Sequence, residues 1–593
     1  MSIKARPYLV IILLWIAFSA GLLAIGAHMP DDGLMPDADD ALRLVQVRDW
    51  LGGQAWFDLH QHRVDPFDGG VAMHWSRLVD LPIAGLIVAL RGVFGAAQAE
   101  HIAVLAVPLL TFGCILLLVG RIALRLLDFE AMVWACLLTA MAIPIVLQIR
   151  PMRIDHHGWQ IVLALAALNG LVAAGRAPGT RAPGARPGAW LSGLSLAVSL
   201  AISFEGVPLT AAFAAVGAIR WLRDRDPAWL TGFVQALALA SAGLFAATRG
   251  FGDLATHCDQ ISPIHIAVFA WVAMGLGVLA WRNPGPAATV AGFGVIGLGA
   301  IALLWGGASQ CAHGAFSDLD PVVRRFWYDY QDEGLPLWRQ QAASALQVAV
   351  PVILGLLAAV KLALVSDGPA RRMWTDYAVV LGAAFAIALA VSRAGATSCA
   401  LAAIPLGWLL QQWLGASRRS GRLVLRVAAL MALPFALQPS LLMAFIPASP
   451  APLEEHAVKS VPRARQSACQ LGVAAKFLAN FPQGNILAPL DIGPTLLVAT
   501  PHTVLATGHH RGARAMREVI DAFTGDDATA HAIVRRRHID YVILCPDIVE
   551  AKYFDAAAPD GLSMRLTEGR VPSWLTPIAM PRGLGLLALR VVR

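Results

Sequence analysis

The sequence predicts a mainly α-helical, polytopic membrane protein of about thirteen spans that ends in a small α/β domain outside the membrane. Of 593 residues, 57% are hydrophobic and only 14% are charged, with a mean hydropathy of +0.62, whereas a soluble chain needs about a quarter of its residues charged. Apolar runs of about 17–25 residues recur up to residue 446, and basic residues lie in the links between them. Residues 447–593 instead alternate short strand and helix patterns.

The first apolar run, Tyr8 to Ala27, follows Lys4 and Arg6. Its length predicts a retained first helix rather than a cleaved signal peptide, with a cytoplasmic N-terminus. The later spans are predicted at 100–120, 130–148, 159–174, 189–204, 207–221, 228–247, 264–281, 286–306, 342–365, 376–392, 400–415 and 424–446.

The distribution of positive charge supports this count. With thirteen spans, eighteen Arg and Lys residues, among them Lys4, Arg121, Arg223, Arg371 and Arg418, fall on or next to the cytoplasmic side, and one span more or fewer would invert the pattern downstream. The net charge of +7 therefore reflects topology and predicts no nucleic-acid partner. The location predicted is the bacterial inner membrane, with the C-terminal domain in the periplasm.

Two domains are predicted, a membrane domain over 1–446 and the periplasmic α/β domain over 447–593. The membrane domain carries a long first outer loop, 29–99, whose apolar segment 79–97 is predicted to lie on or re-enter the outer face, and a second long outer loop, 307–341. In the C-terminal domain, strands are predicted at Gly484–Leu490, His502–Thr507 and Asp540–Cys545, and helices at Gly493–Ala499, Ala513–Phe523 and Ala528–Arg537.

Four cysteines are predicted to lie outside the membrane. Cys258 and Cys311 return to the same outer face, and Cys469 and Cys545 share the C-terminal domain. In an oxidising compartment these residues form either two disulfides or four unpaired thiols.

Acidic residues cluster in the predicted outer loops. Asp37, Asp39 and Asp40 precede a helical pattern, where they either cap the helix or bind a divalent cation that offsets their mutual repulsion. Asp155-His156-His157 lies between two spans, where it either caps a helix or ligates a metal. Since adjacent helical side chains diverge, we expect at most one of the two histidines to join Asp155.

Two further candidates lie later in the chain. Glu333 ends an aromatic and acidic run that is either an interfacial belt or a mobile loop that places a carboxylate over substrate. Arg393, at an outer span end, either snorkels to the interface or binds the phosphate of a lipid carrier. His509-His510-Arg511 either faces the site or forms a solvated loop.

These features together resemble the catalytic subunit of oligosaccharyltransferases, a family of GT-C membrane glycosyltransferases. Asp39, Arg48-Asp49 and Gly52-Gly53 match the spacing of the family's first acidic motif, and Asp155-His156-His157 resembles its archaeal second motif, although Gln160 replaces a Glu. The resemblance implies that Glu333 either completes the metal site or contacts the acceptor, and that Arg393 contacts the donor pyrophosphate. Pro489-Leu490-Asp491-Ile492-Gly493 lacks the aromatic residues of the family's acceptor-reading motif, so recognition of an Asn sequon is not expected.

The predicted function is transfer of a sugar or oligosaccharide from a polyprenyl-phosphate-linked donor to an unidentified glycan, lipid or protein acceptor outside the cytoplasm. A divalent cation, Mg²⁺ or Mn²⁺, is the predicted cofactor; alternatively, Asp39 acts as a base without a metal. The predicted catalytic residues are Asp39, Asp40, Asp155 and Glu333, the predicted metal ligands are Asp39, Asp155, His156 and Glu333, and the predicted phosphate-binding residue is Arg393. A transporter or flippase of lipid-linked saccharides and a non-catalytic assembly subunit are the alternatives.

Overall fold

A computed structural model describes residues 6–27, 34–173, 185–314, 316, 319–445 and 469–592. Every predicted span corresponds to a helix or helix pair. The helices up to residue 445 are α1 (Pro7–Ala27), α2 (Ala38–Leu51), α3 (Arg77–Phe94), α4 (Ala96–Leu126), α5 (Phe129–Met141), α6 (Ile143–Ile149), α7 (His157–Ala173), α8 (Ala185–Ile202), α9 (Val207–Asp224), α10 (Ala228–Thr248), α11 (Pro263–Arg282), α12 (Pro286–Ala308), α13 (Pro321–Phe326), α14 (Ala342–Val365), α15 (Gly368–Ala390), α16 (Gly395–Arg419) and α17 (Leu423–Leu437).

The structure does not confirm the predicted number of thirteen membrane spans. Eight of the described helices are long and apolar enough to cross a membrane, and α5 with α6 makes a ninth if this pair, bent by 66°, is one span. The bend occurs at a break before Pro144, which lacks a backbone N–H. The apolar helices α7 and α17 are shorter.

Glycines allow close packing of helices inside the bundle. A Cβ atom at Gly193 of α8 would collide with the carbonyl oxygen of Phe233 on α10, and one at Gly407 of α16 would lie 2.6 Å from the carbonyl oxygen of Ala131 on α5. Small residues at such crossings favour association of apolar helices, because they let the backbones approach. The segment predicted at 79–97 forms α3, which packs against α4 and exposes Leu81 and Val88.

The C-terminal region has the predicted α/β character. Its helices are α18 (Leu471–Leu478), α19 (Gly493–Ala499), α20 (Ala513–Thr524), α21 (Asp527–Arg536), α22 (Val549–Ala557) and α23 (Leu562–Thr567). After the short strands β1 (His60–Gln61) and β2 (Val71–Ala72) of the first outer loop, the strands are β3 (Asn485–Leu487), β4 (Thr503–Val504), β5 (Tyr541–Leu544), β6 (Leu575–Pro577) and β7 (Leu587–Val591). They form one sheet in the order β4-β3-β5-β7-β6, parallel among β4, β3 and β5 and antiparallel at β7 and β6.

The first outer loop and the C-terminal region share a hydrophobic core. Leu42 and Trp75 of the loop belong to the same buried cluster as Ile486 and Leu496 of the sheet region. Arg63 extends this contact, because its guanidinium donates hydrogen bonds to backbone carbonyl oxygens of α19 and of the segment that connects α19 to β4. The C-terminal region therefore rests on the membrane region through a packed, hydrogen-bonded interface.

Both disulfides considered from the sequence are present. Cys258 is bonded to Cys311, and Cys469 is bonded to Cys545. The first joins the segment after α10 to the segment after α12, and the second joins the chain before α18 to the end of β5. Of the two alternatives that the sequence left open, the structure has the two disulfides and not four unpaired thiols.

Candidate functional site

The first acidic cluster forms the N-terminus of α2. Asp37 is the N-cap, and its side chain accepts a hydrogen bond from the backbone N–H of Asp39 at 3.0 Å. Carboxylates in a first helical turn also interact favourably with the helix dipole. Because neighbouring helical positions point in different directions, Asp39 lines a large cavity while Asp40 points into the protein.

Asp40 is fully buried and supports the second acidic cluster. Its carboxylate accepts a hydrogen bond from Arg153 Nη1 at 3.0 Å and another from the backbone N–H of Asp155 at 2.9 Å. Asp40 thus holds the turn at 153–155 against α2. Asp40 was predicted to be catalytic, but its placement favours a positioning role, because its two carboxylate oxygens are engaged by Arg153 and by the backbone N–H of Asp155.

Asp155 contacts both of the histidines that follow it. Its Oδ1 lies 2.5 Å from His156 Nδ1, and its Oδ2 lies 3.4 Å from His157 Nε2. The expectation that at most one histidine would join Asp155 is therefore wrong. It assumed helical geometry for all three residues, but α7 begins only at His157, and the preceding backbone bends so that both rings turn toward the carboxylate.

Glu333 and Arg393 meet at the same place from two other segments. The Glu333 turn is fixed to the turn after α15 by hydrogen bonds from Ser392, whose N–H donates to Leu335 O and whose hydroxyl donates to Glu333 O. Arg393 then pairs with Glu205 at 2.9 Å, and its Nη1 lies 3.8 Å from Glu333 Oε1. Glu333 Oε1 is also 3.8 Å from His157 Nε2.

The ionisation of these groups is strongly perturbed. Burial and the neighbouring carboxylates of Asp37 and Asp155 raise the pKa of Asp39 well above its ordinary value. Burial also raises the pKa values of Asp155 and Glu333, but neighbouring cationic groups lower them by more. The pKa of Asp155 lies well below its usual range beside His156 and His157, and the pKa of Glu333 is lowered to about 2 beside His157 and Arg393.

The donor set fits a divalent cation. Asp155 Oδ2 and His157 Nε2 are buried, face each other and have no hydrogen-bond partner among the described residues. The nearby Asp39 and Glu333 add carboxylate oxygens, which hard divalent cations prefer. The candidate ligands are thus Asp39, Asp155, His157 and Glu333, with His156 in contact with Asp155 and able to contribute as well. His157 is in the predicted motif but was not among the predicted ligands.

Asp39, His156, His157, Glu333 and Arg393 line one cavity of about 1310 Å³ between the helix bundle and the C-terminal region, and Asp155 contacts the two histidines of this wall. On the bundle side, apolar residues of α9, α15 and the following turn, including Leu209, Ile387 and Val391, form part of the wall. On the opposite side lie Asp491 and Glu550 of the C-terminal region. Glu550 accepts hydrogen bonds from the backbone N–H groups of Leu490 and Asp491 at 2.8 and 3.0 Å.

A histidine cluster occupies another part of the cavity wall. The sequence left open whether His509 and His510 face the site or lie in a solvated loop. In the structure they face the cavity together with His74 and Asp259. Burial lowers the pKa of His74 and His509 well below the ordinary value. His74, Asp259 and Glu205 were not predicted, because isolated polar residues in loops carry no spacing signal.

Comparison with known proteins identifies the fold. No protein-family model matches the sequence, and no curated protein matches it. Among solved structures, the archaeal oligosaccharyltransferase AglB from Archaeoglobus fulgidus, in complex with an inhibitory peptide and a dolichol-phosphate, superposes with a TM-score of 0.67 at 14% identity, over 98% of this chain and 74% of that one. The A. fulgidus oligosaccharyltransferase in complex with Zn and sulfate gives 0.61 at 13% identity, over 97% and 72%.

ArnT from Cupriavidus metallidurans, bound to undecaprenyl phosphate, gives a TM-score of 0.41 at 13% identity, over 98% of this chain and 97% of that one. The chain is a multi-pass membrane protein with the GT-C fold of the archaeal oligosaccharyltransferase. The fold expected from the resemblance is confirmed.

Proposed function

We propose that the chain is a membrane glycosyltransferase that moves a sugar or oligosaccharide from a polyprenyl-phosphate-linked donor to an acceptor on the outer side of a bacterial inner membrane. The observation that carries this proposal is the convergence of Asp39, His157, Glu333 and Arg393, from four distant segments, on one cavity, with Asp155 in contact with His157. The shared fold supports the assignment, because oligosaccharyltransferases build their site in the same architecture.

The donor binds with its phosphate groups at Arg393. This guanidinium lies in the cavity wall between Glu205 and Glu333, and its planar set of donors suits phosphate oxygens. Apolar residues of α9 and α15 beside it provide a surface for the polyprenyl chain. The dolichol-phosphate in the AglB complex is consistent with such a ligand.

A divalent cation, Mg²⁺ or Mn²⁺, would be held by Asp39, Asp155, His157 and Glu333. When bound, it supplies positive charge that offsets the charge developing on the donor phosphate. The facing, unpartnered Asp155 Oδ2 and His157 Nε2 support this ligand set, as does the Zn found with the A. fulgidus enzyme.

The residues of this chain perform three tasks in the reaction. An acceptor hydroxyl or amide nitrogen attacks the anomeric carbon, and the bond from that carbon to the phosphate oxygen breaks. Arg393 stabilises the departing lipid phosphate through charge-assisted hydrogen bonds. Asp39 orients the nucleophile and takes its proton, directly or through water. Arg153 and Asp40 hold the Asp155 turn in place.

The acceptor is not selected through an Asn sequon. Asp491 lines the cavity opposite the site, but its neighbours Leu490 and Ile492 supply no aromatic surface, and its backbone N–H is engaged by Glu550. The acidic pair of Asp491 and Glu550 instead favours an acceptor with hydroxyl or amino groups, such as a glycan.

A transporter is less compatible with the charges of the described helices. A transport pathway near the membrane midplane needs ionisable residues there. Asp376, the buried carboxylate of α15, is instead paired with Arg220 and Arg223 at the opposite ends of α9 and α15 from the cavity. The concentration of acidic groups in one cavity likewise disfavours a non-catalytic assembly subunit.

The test combines a deletion strain with reconstitution. Mass spectrometry of surface glycans and periplasmic glycoproteins should show one glycan lost on deletion and restored by the native gene. The purified chain with the matching lipid-linked donor should then transfer that glycan, and chelation followed by Mg²⁺ or Mn²⁺ should abolish and restore transfer. An unchanged glycan profile, together with no transfer by the purified chain, would contradict the proposal. Full activity after chelation would leave Asp39 as a metal-independent base.

A further inference from the structure

Three segments that are far apart in sequence bring a histidine cluster together on the outer face. His74 follows β2, Asp259 follows the disulfide-bonded Cys258, and His509 and His510 follow β4 in the C-terminal region. His74 Nδ1 lies 3.0 Å from His509 Nε2, and His510 Nε2 lies 2.7 Å from Asp259 Oδ2. His74 Nδ1 is also 3.8 Å from that same Asp259 oxygen.

We propose that His74, His509, His510 and Asp259 form a second metal site, which binds Zn²⁺ and fastens the C-terminal region to the membrane region. One ring nitrogen from each of the three histidines can serve as a ligand, and these three atoms all lie within 4.8 Å of one another. With bonds of about 2.0–2.2 Å, tetrahedral Zn²⁺ holds its ligand atoms about 3.3–3.6 Å apart, so small side-chain adjustments suffice.

The proposed ligands of this site differ in kind from those of the cation site around Asp39. Three imidazoles and one carboxylate suit Zn²⁺, whereas the cluster around Asp39 offers mainly carboxylate oxygens, which suit Mg²⁺ or Mn²⁺. The two sites therefore take different metals, and this proposal does not depend on the transferase reaction.

The surroundings are those of a constructed site rather than a surface coincidence. His509 is 4% exposed, and its Nδ1 has no hydrogen-bond partner in the part of the chain that the structure describes. The rings of Trp75 and Phe316 pack against His509 and His510 at centroid distances of 5.6 and 4.9 Å.

Arginine residues fix the orientation of two of the ligands. Arg511 donates to both carboxylate oxygens of Asp259, at 2.6 and 2.8 Å, and Arg249 donates to the backbone carbonyl oxygen of His74. Such contacts outside the ligands hold them in place for the metal.

A metal at this point has a structural consequence. It joins the first outer loop, the disulfide-bonded segment after α10 and the C-terminal region, which together form one part of the cavity wall. Because the ion binds only the folded arrangement, it stabilises the contact between the C-terminal region and the bundle.

The test uses the full chain in detergent, stripped of metal and then titrated with Zn²⁺. The His157→Ala variant weakens the first site, and we expect it to retain one Zn²⁺ per chain by elemental analysis. Adding His74→Gln or His509→Ala should abolish that binding. The control is His62→Ala, which removes the exposed pair of His62 and Asp58 outside the cluster and should keep the full stoichiometry.

Two measurements on His157→Ala keep the test valid even if the variants with further histidine substitutions do not fold. Co²⁺ bound to His157→Ala should give the visible absorption bands of a tetrahedral nitrogen-rich site, and Zn²⁺ should raise its thermal unfolding temperature. Absence of bound Zn²⁺ in His157→Ala would overturn the proposal. So would Zn²⁺ binding that persists in His74→Gln and His509→Ala but disappears in His62→Ala.

Discussion

His157 Nε2 lies 3.8 Å from Glu333 Oε1, although one residue begins α7 and the other belongs to the outer loop between α13 and α14. The same nitrogen lies 3.4 Å from Asp155 Oδ2. His157 thus connects the second acidic cluster to the outer loop, and the loop in turn contacts Arg393. This chain of contacts brings the proposed cation ligands and the proposed phosphate ligand into one site.

Replacing Asp39 should remove activity without disturbing the fold. In Asp39→Asn, the carboxylate that faces the cavity is lost, while the N-cap at Asp37 and the buried Asp40 remain. We expect kcat to fall by at least about a hundredfold, as for loss of a general base, with unchanged membrane insertion and thermal unfolding temperature. The control is Asp58→Asn in the same outer loop, outside the cavity, which should keep near-normal transfer. Normal kcat in Asp39→Asn would contradict the proposed site.

Replacing Asp40 should affect stability as well as activity. Asp40→Asn replaces a fully buried carboxyl group, whose pKa is raised to about 7 by burial and which holds both Arg153 and the backbone of Asp155. Breaking a buried pair costs about 3–5 kcal/mol, so we expect a lower thermal unfolding temperature together with reduced kcat. An unfolding temperature equal to that of the native protein, with kcat abolished, would instead indicate that Asp40 acts directly in catalysis.

The sequence contains most of the information about architecture. Each predicted span is helical, and the helix predicted at Gly493–Ala499 has those bounds in the structure. Hydropathy and positive charge are strong signals because lipid excludes unpaired polar groups. The strands β6 and β7 were not predicted. They pair antiparallel at the end of the sheet, and short half-exposed strands such as Leu575–Pro577 have little periodicity.

The site could be predicted only in part. Asp39, Asp155, Glu333 and Arg393 were recognised because they are charged residues in predicted outer loops or at an outer span end. Their mutual distances depend on tertiary packing, and so does the choice between Asp39 and Asp40, which differ by one helical position. The histidine cluster around His74 and His509 depends entirely on the interface between the first outer loop and the C-terminal region.

Replacing Arg393 should weaken donor binding. Arg393→Lys keeps the charge but loses the planar set of donors. A hydrogen bond to a charged group contributes about 1.5–3 kcal/mol, so we expect KM for the lipid-linked donor to rise about ten- to a hundredfold. KM for the acceptor should change little. The matched control is Arg325→Lys, an exposed arginine of the outer loop. An unchanged donor KM with a raised acceptor KM would assign Arg393 to the acceptor instead.

The buried pair of Asp491 and Glu550 should make stability depend on pH. Burial raises the pKa of Asp491 to about 6, and burial with the nearby Asp491 raises the pKa of Glu550 to about 8. Between about pH 4 and 8 the folded chain therefore binds more protons than the unfolded chain, whose carboxyl groups have pKa values of about 4. The contribution of this pair to the free energy of unfolding accordingly decreases as the pH rises through that window.

Asp491→Asn tests this relationship. Without the Asp491 charge, Glu550 ionises at lower pH, and one carboxyl group with a raised pKa is absent. We expect the unfolding temperature of the native chain to fall from pH 5 to pH 8 more steeply than that of Asp491→Asn, as measured by thermal unfolding in detergent. Asp560→Asn, an exposed residue of the same region, should follow the native slope. Equal slopes for the native chain and Asp491→Asn would show that both carboxylates are ionised in the folded protein, and that the acidic wall of the cavity is permanently charged.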